Sequence, residues 1–152
     1  MAVINISAQE SNKSQKIDSL QNQLNELQHK YDFLECEYEL YCLKNDLRDY
    51  KNDLKASINN LLILLYHNNY EKKHYTICKN TYNESKKELI SLEILTNVTK
   101  AKTFSKIEST TFKEVEIDIL KEKVNTIDYA TKSAKATLKY YKDILDTLEG
   151  YE

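Results

Sequence analysis

Apolar side chains recur at alternating spacings of three and four from Ile17 onward: Ile17, Leu20, Leu24, Leu27, Tyr31, Leu34, Tyr38 and Tyr41. A seam of mean spacing 3.5, held for more than three heptads, predicts a coiled-coil or bundle helix. After Tyr41 the pattern changes phase. It resumes as Leu43, Leu47, Tyr50, Leu54, Leu61 and Leu65, with Ile58 or Ser57 filling the gap. The short step from Tyr41 to Leu43 predicts a change of supercoil or of packing partner. A first helix over about 14–66 follows, on the order of 80 Å long. Its last turns hold six apolar residues in a row, Leu61 to Tyr66, with Asn59-Asn60 before them and His67-Asn68-Asn69 after. Such a run has no polar face to show water, so it is expected to be buried on every side, close to a chain reversal. Asn tolerates the left-handed conformation that ends helices, and a His there complements the helix dipole.

The same periodicity returns twice more. A second helix from about 70 to 95 carries Tyr75, Cys78, Tyr82, Ser85, Leu89 and Leu92 at helical spacing. A third, from about 112 to 149, has the cleanest seam: Ile117, Leu120, Val124, Ile127, Thr131, Ala134, Leu138, Tyr141, Leu145 and Leu148. Gly150 is a fitting stop for it. Between these two helices, 96–111 is crowded with Ser and Thr, which compete for backbone hydrogen bonds and favour caps and loops, so this stretch is expected to be the connection. Thr111-Phe-Lys-Glu114 reads as the capping box that launches the third helix. Residues 1–13, with Val3, Ile4 and Ile6, read as a separate N-terminal arm. Ser7-Ala-Gln-Glu10 and Ser14 offer alternative starts for the first helix. The expectation is all-α: one helical domain over 14–152, a long-helix antiparallel coiled coil or three-helix bundle. Unequal helix lengths leave seam exposed, so the bundle is expected to be completed by oligomerisation or by a partner.

Composition supports helices and narrows the chemistry. The 152 residues include no Pro and one Gly, which argues against hairpin sheets and against Gly-rich phosphate loops. The 22 basic and 24 acidic residues nearly balance. They divide as 7 and 10 over 1–66, 8 and 5 over 67–111, and 7 and 9 over 112–152, a basic middle that fits helices folded back on acidic neighbours. Cys36, Cys42 and Cys78 have no CxxC spacing, and free thiols in a reducing compartment are expected. With no basic-then-apolar leader and no apolar run long enough for a bilayer, the expected location is a cytoplasm, the chain's own or a host's, with no membrane partner.

Two Glu-x-x-His motifs, Glu26–His29 and Glu71–His74, match one element of di-iron helical bundles. With Leu24 and Leu27 in the seam, however, Glu26 and His29 fall on the far, solvent side of the helix. His74 and Cys78 share a face near Glu71 and His67, but zinc needs about four converging ligands. No cofactor, no metal and no enzymatic activity are expected. Lys72, Lys73, Lys79, Lys86, Lys87, Lys100, Lys102 and Lys106 form a basic tract with Tyr70, Tyr75 and Tyr82 between them, a pattern able to hold phosphates and stack bases. Against it, Tyr75 and Tyr82 already have seam positions, and Arg48 is the lone Arg. The 12 Tyr favour wet interfaces.

The leading expectation is a non-enzymatic scaffold, adaptor or inhibitor that binds itself or another protein. Its seam candidates are Leu43, Leu47, Tyr50, Leu54, Leu61, Leu65, Tyr75, Tyr82, Leu138, Tyr141 and Leu145. A nucleic-acid-associated protein using the 72–106 tract is the second class. The helical layout with a short apolar arm resembles the small helical partners of unusual secretion systems, which implies a secretion partner or chaperone as a third. The Trp-x-Gly turn of that group is absent here.

Overall fold

The computed structural model describes residues 2–149, with side chains from residue 10 onward. These form three helices: α1 (Ala2–Tyr66), α2 (Lys72–Ser109) and α3 (Glu114–Glu149). Lys106 on α2 meets Asp32 on α1, while Tyr50 reaches Ser85, so α2 runs antiparallel to α1. Glu116 lies beside His29 and Ser133 beside Lys51, so α3 runs back alongside α1. The result is an up-down-up three-helix bundle.

The core has two apolar clusters. At one end Tyr50, Leu54, Ile58 and Leu61 of α1 pack on Tyr75 and Leu89 of α2 and on Ala134, Leu138, Tyr141, Leu145 and Leu148 of α3. At the other, Cys36, Leu40, Leu43 and Leu47 pack on Phe112 and on Leu120, Val124 and Ile127. Half-buried Leu92 touches both clusters. The α3 seam is thus buried as its period predicts, with Ile117 and Thr131 half-exposed. Polar tips inside the core are satisfied. The Tyr50 hydroxyl donates to the Ser85 carbonyl at 3.0 Å and the Tyr141 hydroxyl to the Cys78 carbonyl at 3.2 Å. Burial pushes both phenols well above the usual tyrosine range.

The expected connection over 96–111 is instead helix, and the loop contracts to 110–113. Thr96, Thr99 and Thr103 continue the inward face of α2 and are buried. The hydroxyls of Thr96 and Thr103 donate to the carbonyls one turn back, Leu92 at 2.8 Å and Thr99 at 2.9 Å. With the hydroxyls satisfied within their own helix, these side chains can be buried, and the competition expected of Thr disappears. The cap of α3 also shifts by two residues: Lys113 donates its backbone N–H to Glu116 Oε2 at 2.8 Å, and Thr111 does not launch the helix. The 1–13 arm is not separate either. From Ala2 it is the start of α1, with Ser7 and Ser14 inside the helix. Gly150 lies outside the described residues.

The break after Tyr66 falls where the Asn pair places it. Asn68 has φ 53°, and the N–H groups of Asn68 and Asn69 bond back to the carbonyls of Leu65 and Leu64, a Schellman close. α2 then starts at Lys72, two residues later than expected, where the Glu71 N–H donates to His74 Nδ1 at 2.9 Å. The apolar run before the break is not buried all round. Leu61 is in the core and Leu64 and Leu65 are half-buried, but Leu62, Ile63 and Tyr66 face water. Two partner helices cover only one side of α1, so a run that is apolar all round still leaves an outer face uncovered.

Candidate functional site

The feature that stands apart is the outer face of α1. At about 100° per residue, Tyr41 and Leu43 are separated by about 200° around the helix, so the two seams read from the sequence occupy opposite sides. The inner one is the bundle core. It begins earlier than its sequence period shows: Cys36 and Leu40 are buried, and His29, Asp32 and Phe33 precede them against the α2–α3 turn. From 29 to 41 α1 therefore carries both seams at once, on opposite faces. The outer seam, Ile17 to Tyr41, is 56–68% exposed at all eight positions.

Its first half projects beyond the bundle. Every residue from Glu10 to Gln28 is exposed, and α2 and α3 begin to cover α1 only at His29. The projecting part, 2–28, is about 40 Å long. Polar Gln15, Asp18, Asn22 and Asn25 lie opposite Ile17, Leu20, Leu24 and Leu27, so even this free segment is amphipathic. Its entry into the bundle is clamped. His29 Nε2 lies 2.8 Å from Glu116 Oε2, and Phe112 meets the rings of His29 and Phe33 edge-on at 5.3 and 6.1 Å. His29 is therefore not on a solvent side. The side far from the outer seam is the inside of the bundle. The Glu116 carboxyl, which accepts the Lys113 N–H and faces His29, is held below the usual carboxylate range.

The second half of the seam, Tyr31 to Tyr41, lies on the bundle's flank. Between Tyr38 and Cys42 of α1 and Leu95 and Val98 of α2 runs an open apolar groove of about 410 Å3. Ion pairs fence it. Lys102 donates to Glu39 at 2.6 Å and Glu35 at 3.2 Å, and Lys106 to Asp32 at 2.5 Å. On the α3 side Lys123 reaches Glu37 at 3.3 Å.

The seam positions expected to bind a partner are placed differently. Leu43, Leu47, Tyr50, Leu54, Leu61, Tyr75, Leu138, Tyr141 and Leu145 are buried between this chain's own helices, and Leu65 and Tyr82 are half-buried against the same core. None of the buried nine presents a surface. The signal that marks the outward face is the overlap itself: a heptad that persists past the point where a second apolar phase begins must belong to another side of the helix.

The basic tract is dispersed along α2. Lys100 pairs with Asp128 at 2.6 Å, Lys102 and Lys106 with the α1 carboxylates, Lys87 with Glu84 and Lys73 with Glu71. Lys79 lies 3.6 Å from Glu149 and over the Tyr75 ring, and Lys72 and Lys86 are exposed. The Tyr82 ring meets Tyr141 edge-on at 6.2 Å rather than facing solvent beside the lysines. His74 and Cys78 line an open groove of about 190 Å3 with Leu61, Leu64 and Tyr141. Among the described residues no three His, Cys, Asp or Glu side chains converge as a metal site would need. The three thiols are free, and burial raises that of Cys36 above its ordinary value. Among the described residues no helix is long and apolar enough to cross a membrane.

No protein-family model, curated protein or solved structure matches this chain.

Proposed function

We propose that this chain is a non-enzymatic helical interaction protein whose docking surface is the outward face of α1, Ile17 to Tyr41. The observation that carries the reading is the unbroken exposure of eight heptad positions on a helix whose opposite face already builds the core. A contiguous apolar stripe of this extent is uncommon on a solitary soluble chain and marks a contact surface. Covering it with protein supplies a driving force of roughly 25 cal/mol per Å2 of apolar area. Tyr31, Tyr38 and Tyr41 add amphipathic anchors of the kind that concentrate at interfaces. The pairing of Lys100, Lys102 and Lys106 with carboxylates of the same chain favours this surface over the basic tract.

The test is capture from the cell in which the chain is made, comparing the wild type with Leu24→Lys and Leu34→Lys. Association, with itself or with another protein, is expected to survive high salt and to be lost in both variants. Capture that is unchanged by these substitutions, or that disappears with salt as counterion release requires of nucleic acid, overturns the reading.

A further inference from the structure

The outward seam is symmetric about the point where the bundle begins. Residue 29 lies twelve positions after Ile17 and twelve before Tyr41, and His29 is where α2 and α3 first cover α1. Half of the stripe is thus on the free projection and half on the bundle flank. We propose that this face closes on the same face of a second copy, with the two α1 helices antiparallel about a two-fold axis near residue 29. The proposal rests on reading the face as a docking surface and names its occupant.

Three observations select this arrangement. In the antiparallel register that matches all eight positions, each heptad layer joins one residue from the projection to one from the flank. Ile17 meets Tyr41 of the other copy, Leu20 meets Tyr38, Leu24 meets Leu34 and Leu27 meets Tyr31. Every Tyr then packs on an aliphatic residue, large against smaller, as interdigitated layers require. A parallel pair would set Tyr31, Tyr38 and Tyr41 each against its own copy. The ends of the stripe give the second argument. One heptad outward the same register sets Glu10 opposite Arg48 and Lys13 opposite Asn45, all on the outer side of α1. The parallel register sets Glu10 on Glu10, Lys13 on Lys13 and Arg48 on Arg48, a row of like charges that selects against it. Third, the two bundles lie at opposite ends of the shared segment, so each projection reaches the other copy's flank without bundle meeting bundle. The contact is isologous and closes at two chains. Eight residues at 56–68% exposure offer on the order of 800 Å2 per chain, what one partner contributes to a stable interface.

The test uses the full chain with Cys42→Ser and Cys78→Ser as background, since Cys36 is buried. Light scattering over a concentration series is expected to give twice the 17.9 kDa chain mass, with Leu24→Lys weakening association at least tenfold. Oxidation with diamide is expected to cross-link chains carrying both Leu24→Cys and Leu34→Cys. Neither single substitution is expected to cross-link, because equivalent positions lie about 15 Å apart along the antiparallel pair. Circular dichroism checks that each variant remains helical. Cross-linking by either single variant, as a parallel pair gives, overturns the proposal. So does a monomer at every concentration. A monomer that still loses a captured protein upon Leu24→Lys ends the self-pairing while leaving the docking face standing. Variants that alter no association at all end both.

Discussion

Tyr41 and Leu43 are two residues apart on one unbroken helix and face opposite ways, the first 58% exposed and the second 2%. The pair divides α1 into a side that folds the chain and a side left over, and that division has measurable consequences.

Substitutions on the two sides should separate cleanly in urea unfolding at concentrations where the chain is single. Leu47→Ala empties part of the core and is expected to cost about 2–5 kcal/mol. Leu24→Lys, on the exposed projection, is expected to change stability by no more than about 0.5 kcal/mol. A large loss with Leu24→Lys under those conditions would show the projection folded against the bundle.

Thr103 distinguishes a core helix from a connection. Its hydroxyl bonds only to the Thr99 carbonyl one turn back, so Thr103→Val keeps the volume, and the carbonyl keeps its place in the helix. Stability is expected to stay within about 1 kcal/mol of the wild type. Thr103→Asp buries a carboxylate there and is expected to cost several kcal/mol. Equal tolerance of both in thermal melts would return 96–111 to the surface.

Much of the fold was legible from periodicity, and the departures share a cause. The α3 seam and the α1 seam from Leu43 to Leu61 predicted their buried positions because an apolar residue on a two-sided helix has few other places to go. Thr96 and Thr103 were illegible because composition registers a hydroxyl and not the carbonyl four residues back that satisfies it. Leu61 to Tyr66 misled in the opposite sense: hydrophobicity on all sides expresses a demand for burial, but a bundle of three supplies neighbours on one side only. For the candidate face, the sequence shows the heptad at Ile17–Tyr41. Whether this chain's own helices cover it depends on where α2 and α3 end, and those ends were misplaced by the Thr-rich stretch.

Acid should destabilise the bundle through Asp32 and Glu116. Lys106 holds the Asp32 carboxyl below its ordinary range, and the Lys113 N–H does the same for Glu116. A carboxylate depressed in the folded state contributes stability above its unfolded pKa, near 4, and that contribution is lost as pH falls through the lower folded value. The melting temperature is therefore expected to fall as pH drops below about 4. The gap between wild type and Asp32→Asn should narrow over the same interval. A gap that widens there would contradict the pairing.

The turn after α1 is set by one left-handed residue. Asn68 at φ 53° is expected to tolerate Gly with little change, since Gly adopts positive φ freely. Asn68→Ala is expected to cost about 1–2 kcal/mol. Denaturant midpoints of the two variants check the order.

The clamp of His29 and Phe112 sits midway along the stripe, and α1 passes through it without Pro or Gly. The bearing of the free part of the helix is thereby geared to that of the packed remainder. A single inserted residue after Gln28 would swing Ile17–Leu27 about 100° out of line with Tyr31–Tyr41, while every contact inside the bundle stayed in place. The length of the chain between Leu27 and Tyr31 is therefore as much a part of the surface as the side chains that compose it.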